Sequence, residues 1–316
     1  MEAALQAVRE EMRNDSRVFV MGEDVQSGLC GDYGLAEFGT ERVRNTPICE
    51  AGFFGAAIGA ALTGMRPVIE TGASNFLYSA MDQIANQAAK SCYMFGGQSN
   101  VPIVIRSTIS YTVATAAHHS DRPWGLFAQV PGLKIIVPTT PHDAKGLLKA
   151  AIRDGNPVLC FDDMTLMGKI GEVPATDYTV PLGKAEVRRL GNHLTIVALG
   201  AAVDHSLAAA EILENDAISA EVIDVRSVVP LDRRTILESI EKTGRLLAVD
   251  AAPGTCGLAA EIAAIAAQHA FRHLKGPVMR LTAPDVPVPF SPALERLMYP
   301  TVETITIAAR TLFNDT

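Results

Sequence analysis

The sequence has no lysine- or arginine-rich block, no C-x-x-C pair and no uncharged run longer than 15 residues. Each absence removes a class of function. Over 316 residues, 27 Lys and Arg face 35 Asp and Glu, a formal net charge of −8. A chain without a basic patch is poorly suited to a phosphate backbone, so no nucleic-acid partner is expected. The uncharged run Ala51–Met65 carries four glycines, and a membrane span needs about 20 apolar residues, so a buried helix and no membrane partner are expected. Cys30, Cys49, Cys92, Cys160 and Cys256 stand far apart, which fits reduced thiols better than a disulfide framework or a zinc site. Three catalytic signatures are missing too. There is no G-x-S-x-G elbow, no G-x-G-x-x-G after a strand, and no Cys or third His at metal spacing from His118 and His119. The opening MEAALQAVREEM alternates acidic with apolar residues as an amphipathic helix does, unlike a signal peptide. Together these features predict a soluble, cytoplasmic protein.

What is present is enough to build cores, with 48% hydrophobic and 20% charged residues. The length suggests two domains. Strands are predicted over Val18–Val25, Arg66–Glu70, Val101–Arg106, Leu133–Val137 and Pro157–Phe161, with helices over Phe53–Leu62, Leu77–Tyr93 and Pro141–Arg153. The last opens on Pro141 and carries Asp143 in its first turn, with Gly155 just beyond its end. Such alternation predicts an α/β fold with a mainly parallel sheet covered on both faces. Between Met164 and Leu190 the texture changes, and KIGEVPATDYTVPLGKAEV holds prolines and glycines without a sustained period. The expected division is a first domain over 1–175, a linker over 176–190 and a second α/β domain over 191–316. In the second, strands are predicted at Leu194–Leu199, Ala220–Val225 and Leu246–Val249, and helices at His205–Leu213, Asp232–Thr243 and Leu258–Leu274.

Ligands of open α/β sheets bind beyond the carboxyl ends of strands, which marks Glu23 and Asp24 at the exit of the first strand; taken alone, loop solvation is the better explanation of them. Glu50 is the only charge between Arg44 and Arg66. It enters an apolar, Gly-rich helix, where a carboxylate is either favoured by the helix dipole or functional. Gly55 and Gly59, four apart, would allow another backbone to approach closely.

These pieces combine in one resemblance. FVMGEDV (19–25), NTPICEAGFFGAAIGAALTGMRPVIE (45–70), NFLYSAMDQIANQAAKSCYMFGG (75–97), VPIVIR (101–106), HS (119–120) and VPGLKIIVPTTPHDAKGLLKAAIRDGNPV (130–158) follow in order. PLGKAEV (181–187), EVIDVRSVVPLD (221–232), TILESIEKTGRLLAV (235–249) and DVPVPF (285–290) continue the series. Across nearly its whole length the chain resembles the β subunit of the thiamine-diphosphate-dependent E1 component of 2-oxo acid dehydrogenase complexes. The resemblance implies a pyrimidine-type ThDP-binding domain followed by a transketolase C-terminal-like domain. It places the catalytic glutamate at Glu50, which favours the imino tautomer of the aminopyrimidine by a hydrogen bond to N1′, and an active-site histidine at His119. It also implies cofactor contacts from Glu23, Ile48 and Phe76, and a potassium loop of Ile103, Ala151, Ile152, Asp154 and Asn156, whose hard oxygen ligands suit that ion.

The G-D-G motif by which such enzymes hold Mg²⁺ and the diphosphate is absent, since Gly31-Asp32-Tyr33 and Arg153-Asp154-Gly155 both fail it. The resemblance thus implies an E1 α subunit that supplies the Mg²⁺ ligands in an α2β2 heterotetramer, with a lipoyl-bearing E2 as acceptor. Decarboxylation of a small 2-oxo acid such as pyruvate, or cleavage of acetoin, is the expected reaction; Gly96-Gly-Gln98 and Pro131-Gly-Leu-Lys134 lean toward that branch. Half of a split transketolase acting on sugar phosphates, or a non-catalytic partner of the α subunit, are the alternatives. Departures from the family pattern cluster at the expected substrate entrance: an abridged loop at 26–35, STISYTVATAAH at 107–118, and Phe95, His118 and Asp121.

Overall fold

The computed structural model describes residues 1–28, 30–109 and 113–314. Two amphipathic helices found one face of the first sheet. Glu2–Asn14 buries Leu5, Val8 and Met12 at helical spacing. Pro141–Arg153 begins as its sequence predicts, with proline in its first turn and Thr140 Oγ1 accepting the Asp143 amide proton at 3.1 Å. The two helices pack together over a core of Val20, Val68, Val104, Val158, Leu147 and Leu148. The sheet beneath contains β1 (Val18–Gly22), β2 (Val43–Asn45), β3 (Arg66–Ala73), β4 (Val104–Ile109), β5 (Lys134–Ile136) and β6 (Val158–Asp163). They run in the order β5-β6-β4-β3-β1-β2, every neighbouring pair parallel.

Several boundaries differ from the sequence reading, each for a local reason. β4 starts at Val104, three residues after Val101, because Pro102 has no N–H to give a ladder between β3 and β6. β1 stops at Gly22, since Asp24 adopts φ 55° and turns the chain away. The single helix expected over Leu77–Tyr93 is instead a 3₁₀ segment Ser74–Ala80, a π turn Gln83–Ala88 and a short α-helix Ala89–Met94. Such irregular turns are frequent at functional sites.

The chain divides into two units after Leu182, and the second also takes in residues 113–117 and Arg122–Leu126. Its strands are β7 (Glu186–Arg189), β8 (Leu194–Ala198), β9 (Ala220–Asp224), β11 (Leu246–Pro253) and β12 (Met279–Ala283), while the short β10 (Ser227–Val229) lies outside its sheet. The order is β12-β11-β8-β9-β7, parallel except for the antiparallel edge strand β7. β7 therefore occupies residues expected in the linker: Val187 and its neighbours find a ladder partner in β9. Helices Ala202–Glu214 and Val302–Asn314 cover one face, around Leu194, Ile196, Val222 and Leu247. Among the described residues no helix is long and apolar enough to cross a membrane.

The helix pair of the first unit holds two buried lysines. Lys145 and Lys149 reach the two oxygens of Glu10 at 2.8 and 2.7 Å, and Arg153 bonds Glu11 and Asp177. Lys149 also pairs with Asp177. Bonds from Arg153 first, then Lys149, hold the Asp177 carboxyl down at about 2 from an ordinary 3.8. A carboxyl lowered by folding contributes stability that is complete above its unfolded pKa and disappears as pH falls through the folded value. The gap in melting temperature between the wild-type chain and Asp177→Asn should be open at neutral pH and close between about pH 4 and pH 2. A gap independent of pH over that window would contradict this assignment.

Candidate active site

The carboxyl end of β1 is closed by a chain crossing. The Thr46 amide donates to Gly22 O at 3.0 Å, and Gln26 bonds Asn45 Oδ1 and Val43 O at 3.0 and 2.6 Å. This brings Glu23 and the segment leading to Glu50 to the same end of the sheet. Glu50 is the first residue of helix Glu50–Leu62, whose N-terminus has no side-chain cap, so its carboxylate faces the positive end of the helix dipole. Glu50 is half-buried, less enclosed than an apolar helix suggests, because Ala51, Gly52, Gly55, Ala56 and Gly59 line an open face. Added Cβ atoms on Gly55 and Gly59 would meet nothing within 4 Å.

Glu23 is also half-buried, and burial together with the carboxylates of Glu50 and Asp24 pushes its pKa up. Its Oε1 and Thr46 Oγ1 are buried with no hydrogen-bond partner among the described residues. Buried polar atoms are nearly always paired, so two orphaned oxygens at one strand end suit a polar ligand group. Ile48 is 83% exposed at this end, where the resemblance places an apolar cofactor contact.

Phe76 and His119 come together. Their ring centroids lie 5.5 Å apart, edge to face. A bulge after Glu70 and Gly72 at φ 65° turn β3 into the Ser74–Ala80 segment, and the Gly72 carbonyl accepts Ser107 Oγ and Thr108 Oγ1, each at 3.0 Å. That segment packs against helix Glu50–Leu62. His119 is exposed at the end of the 3₁₀ turn Ala117–His119. Asp121 fixes it to the Phe76 segment: its amide donates to Asn75 Oδ1 at 3.1 Å, and its carboxylate accepts the Tyr78 hydroxyl at 2.8 Å. The unusual residue at position 121 thus has a structural task. His118 and Phe95 are exposed. Within the two unusual loops, Leu29 and residues 110–112 lie outside the described residues.

The five residues of the expected cation loop also converge, at the opposite end of the strands. The carbonyl oxygens of four of them already carry donors: Arg66 bonds Ile152 O and Asp154 O at 2.9 and 2.6 Å, and the Val158 amide bonds Ile103 O at 3.0 Å. Ala151 O accepts the Asp154 amide at 3.2 Å, while the Asp154 carboxylate takes Lys134 and the Asn156 amide. A carbonyl has two lone pairs, so one donor each leaves capacity for a cation.

Sequence reasoning missed a buried polar row beneath the site. Gly22, Glu70, Arg106 and Cys160 are aligned across β1, β3, β4 and β6 by register. Arg106 bonds Asp162 at 3.0 and 2.7 Å and approaches Glu70 at 3.2 Å; the Tyr33 hydroxyl donates to Glu70 and accepts from Arg106. Burial pushes the Glu70 carboxyl up, while the surrounding acids hold Arg106 firmly charged. The available signal was a charged residue closing each of three apolar strands, in RPVIE, VPIVIR and VLCFDD.

Residues 1–164 match the transketolase pyrimidine binding domain, and residues 183–305 match the transketolase C-terminal domain. The chain therefore belongs to the transketolase-type proteins built from these two domains. Within them its place is among the β subunits of the E1 components of 2-oxo acid and acetoin dehydrogenases. It is 46% identical over 320 residues to the β subunit of acetoin:2,6-dichlorophenolindophenol oxidoreductase of Bacillus subtilis, covering 96% of this chain and 94% of that one. Against the 2-oxoisovalerate dehydrogenase β subunit of the same organism it is 44% identical, over 97% and 95% of the two chains. Its pyruvate dehydrogenase E1 β subunit is 45% identical over 93% and 92%. In fold, the chain superimposes on a split-gene transketolase solved as an inactive β4 tetramer with a TM-score of 0.82, at 24% identity over 99% and 97% of the chains.

Proposed function

We propose that this chain is the β half of a thiamine-diphosphate-dependent E1 that decarboxylates a small 2-oxo acid, or cleaves acetoin, and passes the acyl group to the lipoyl arm of an E2 partner. The observation that carries this reading is the group of Glu23, Glu50 and Thr46 at one end of the sheet, with Glu23 Oε1 and Thr46 Oγ1 unpartnered among the described residues, together with the Phe76–His119 ring pair on a segment packed against the Glu50 helix. Thiamine diphosphate, when bound, supplies the electron sink for cleavage of the bond next to the carbonyl. The protein's part is orientation and proton control. Glu50, at an uncapped helix start, would hold a proton on N1′ of the aminopyrimidine and so shift its tautomer. Glu23 keeps that neighbourhood negative and offers Oε1 as an acceptor, Phe76 presents an aromatic surface to the ring, and His119 orients the substrate. Because the sequence lacks a G-D-G motif, an E1 α subunit is assigned the Mg²⁺-diphosphate end, in an α2β2 assembly.

Glu50→Gln is nearly isosteric and should leave folding and assembly with the α subunit intact. Loss of an essential proton-transfer group costs about 10²–10⁴-fold, so cofactor C2–H exchange in the assembled variant should slow by that factor. Wild-type exchange would remove Glu50 from the role.

Potassium is proposed at the loop formed by Ile103, Ala151, Ile152, Asp154 and Asn156, through the remaining lone pairs of its oxygens. A ligand that binds only the folded state raises stability by mass action. The melting temperature should therefore rise when potassium replaces a large organic cation in the buffer, and Asp154→Ala should abolish the rise. An equal rise in that variant would place the ion elsewhere.

A further inference from the structure

The loop that leaves β1 through Glu23 returns through Tyr33, and the hydroxyl of Tyr33 ends in the buried polar row. Tyr33 is 1% exposed, so its O–H must find partners inside the protein. It donates to Glu70 and accepts from Arg106, both of which are buried and set by sheet register. Glu70 is the β3 partner of Gly22, the residue just before Glu23. The two strands are so close there that a Cβ on Gly22 would lie 2.1 Å from Glu70 O. Tyr33 and Glu23 are thus referred to the same point of the sheet, one through side chains and the other through backbone.

Other contacts of the loop agree. Cys30 Sγ lies 3.8 Å from Glu23 O, and burial with Glu70 nearby pushes its thiol up to about 11, so it stays a neutral donor. The Gly34 amide donates to Asp32 Oδ1 at 2.7 Å, and Arg9 bonds Asp32 O. Gly31 has φ 94°, which strains any other residue, and an added Cβ would lie 2.4 Å from Leu5 Cδ1 and have to displace that side chain of helix Glu2–Asn14. Asp24 itself is left-handed, at φ 55°, a conformation held by surrounding contacts.

We propose that Tyr33 is a positioning residue: its hydroxyl, clamped between Arg106 and Glu70, fixes the loop that carries Glu23 and so sets Glu23 against Glu50. This deepens the cofactor reading and rests on it for its catalytic consequence. The mechanical consequence does not need the cofactor. Tyr33→Phe keeps the ring in the core and removes only the clamp.

The test uses the α2β2 complex in wild-type, Tyr33→Phe, Glu23→Gln and double-variant forms. Without cofactor, hydrogen–deuterium exchange of peptides covering Glu23–Gly28 should be about tenfold faster in Tyr33→Phe, a local opening of the kind native-state exchange detects. With Mg²⁺ and thiamine diphosphate, Tyr33→Phe should slow C2–H exchange about tenfold in the wild-type background and by less than about twofold when Glu23 is already Gln, the non-additivity expected of residues acting through one another. Equal losses in both backgrounds, or unchanged amide exchange, would overturn the proposal. If Tyr33→Phe does not assemble, Glu70→Gln runs the same cycle with the tyrosine still packed. Wild-type C2–H exchange in Glu50→Gln would defeat the cofactor reading alone, since the amide-exchange arm reports on Tyr33 regardless.

Discussion

Arg106 is the charge about which the first unit is organised. It stands on β4 between the carboxylates of Glu70 on β3 and Asp162 on β6, and is 4% exposed. Breaking a buried pair by deleting one partner leaves an uncompensated charge and costs about 3–5 kcal/mol. The row therefore tolerates little change in register: β3, β4 and β6 must align so that these groups meet. That alignment also fixes what lies just beyond the strand ends. Gly22 leads to Glu23, and Glu70 leads through Gly72 to Phe76.

Above the row, the electrostatics change character. Below it charges are paired; at the strand ends burial and the neighbouring charge of Glu50 disfavour ionisation of Glu23, while Glu50 stands at the favourable end of its helix dipole, and no cation bonds to either carboxylate among the described residues. Such an arrangement is unfavourable for folding alone and is held by the scaffold around it. A ligand with proton-donating nitrogen atoms would relieve it, as the proposed reaction requires. The second unit supplies a separate all-parallel core with one antiparallel edge.

Much of the fold was legible because apolar runs and helix-start signals agree locally. Pro141 with Asp143 marked its helix, and the strands from Val18 and Leu194 began where expected. What was not legible depended on partners distant in sequence. Nothing local indicates that Ser74–Ala80 winds as a 3₁₀ turn; its Asn75 and Tyr78 are bound by Asp121, more than forty residues later. Val187 reads as linker until β9 offers it a ladder. In the site, Glu50 stood out as a lone charge in an apolar stretch, whereas Glu70 and Arg106 show only as charges closing apolar strands, Tyr33 carries no local signal, and only the sheet makes the three neighbours.

As proposed, this chain would hold the aminopyrimidine end of thiamine diphosphate and rely on an α subunit for the rest. Calorimetric titration of Mg²⁺ and thiamine diphosphate into the purified chain, and then into its complex with the α subunit, tests it most directly. The account predicts no measurable binding to the chain alone and saturable binding, with one cofactor per αβ pair, in the complex. Tight binding by the isolated chain would contradict it.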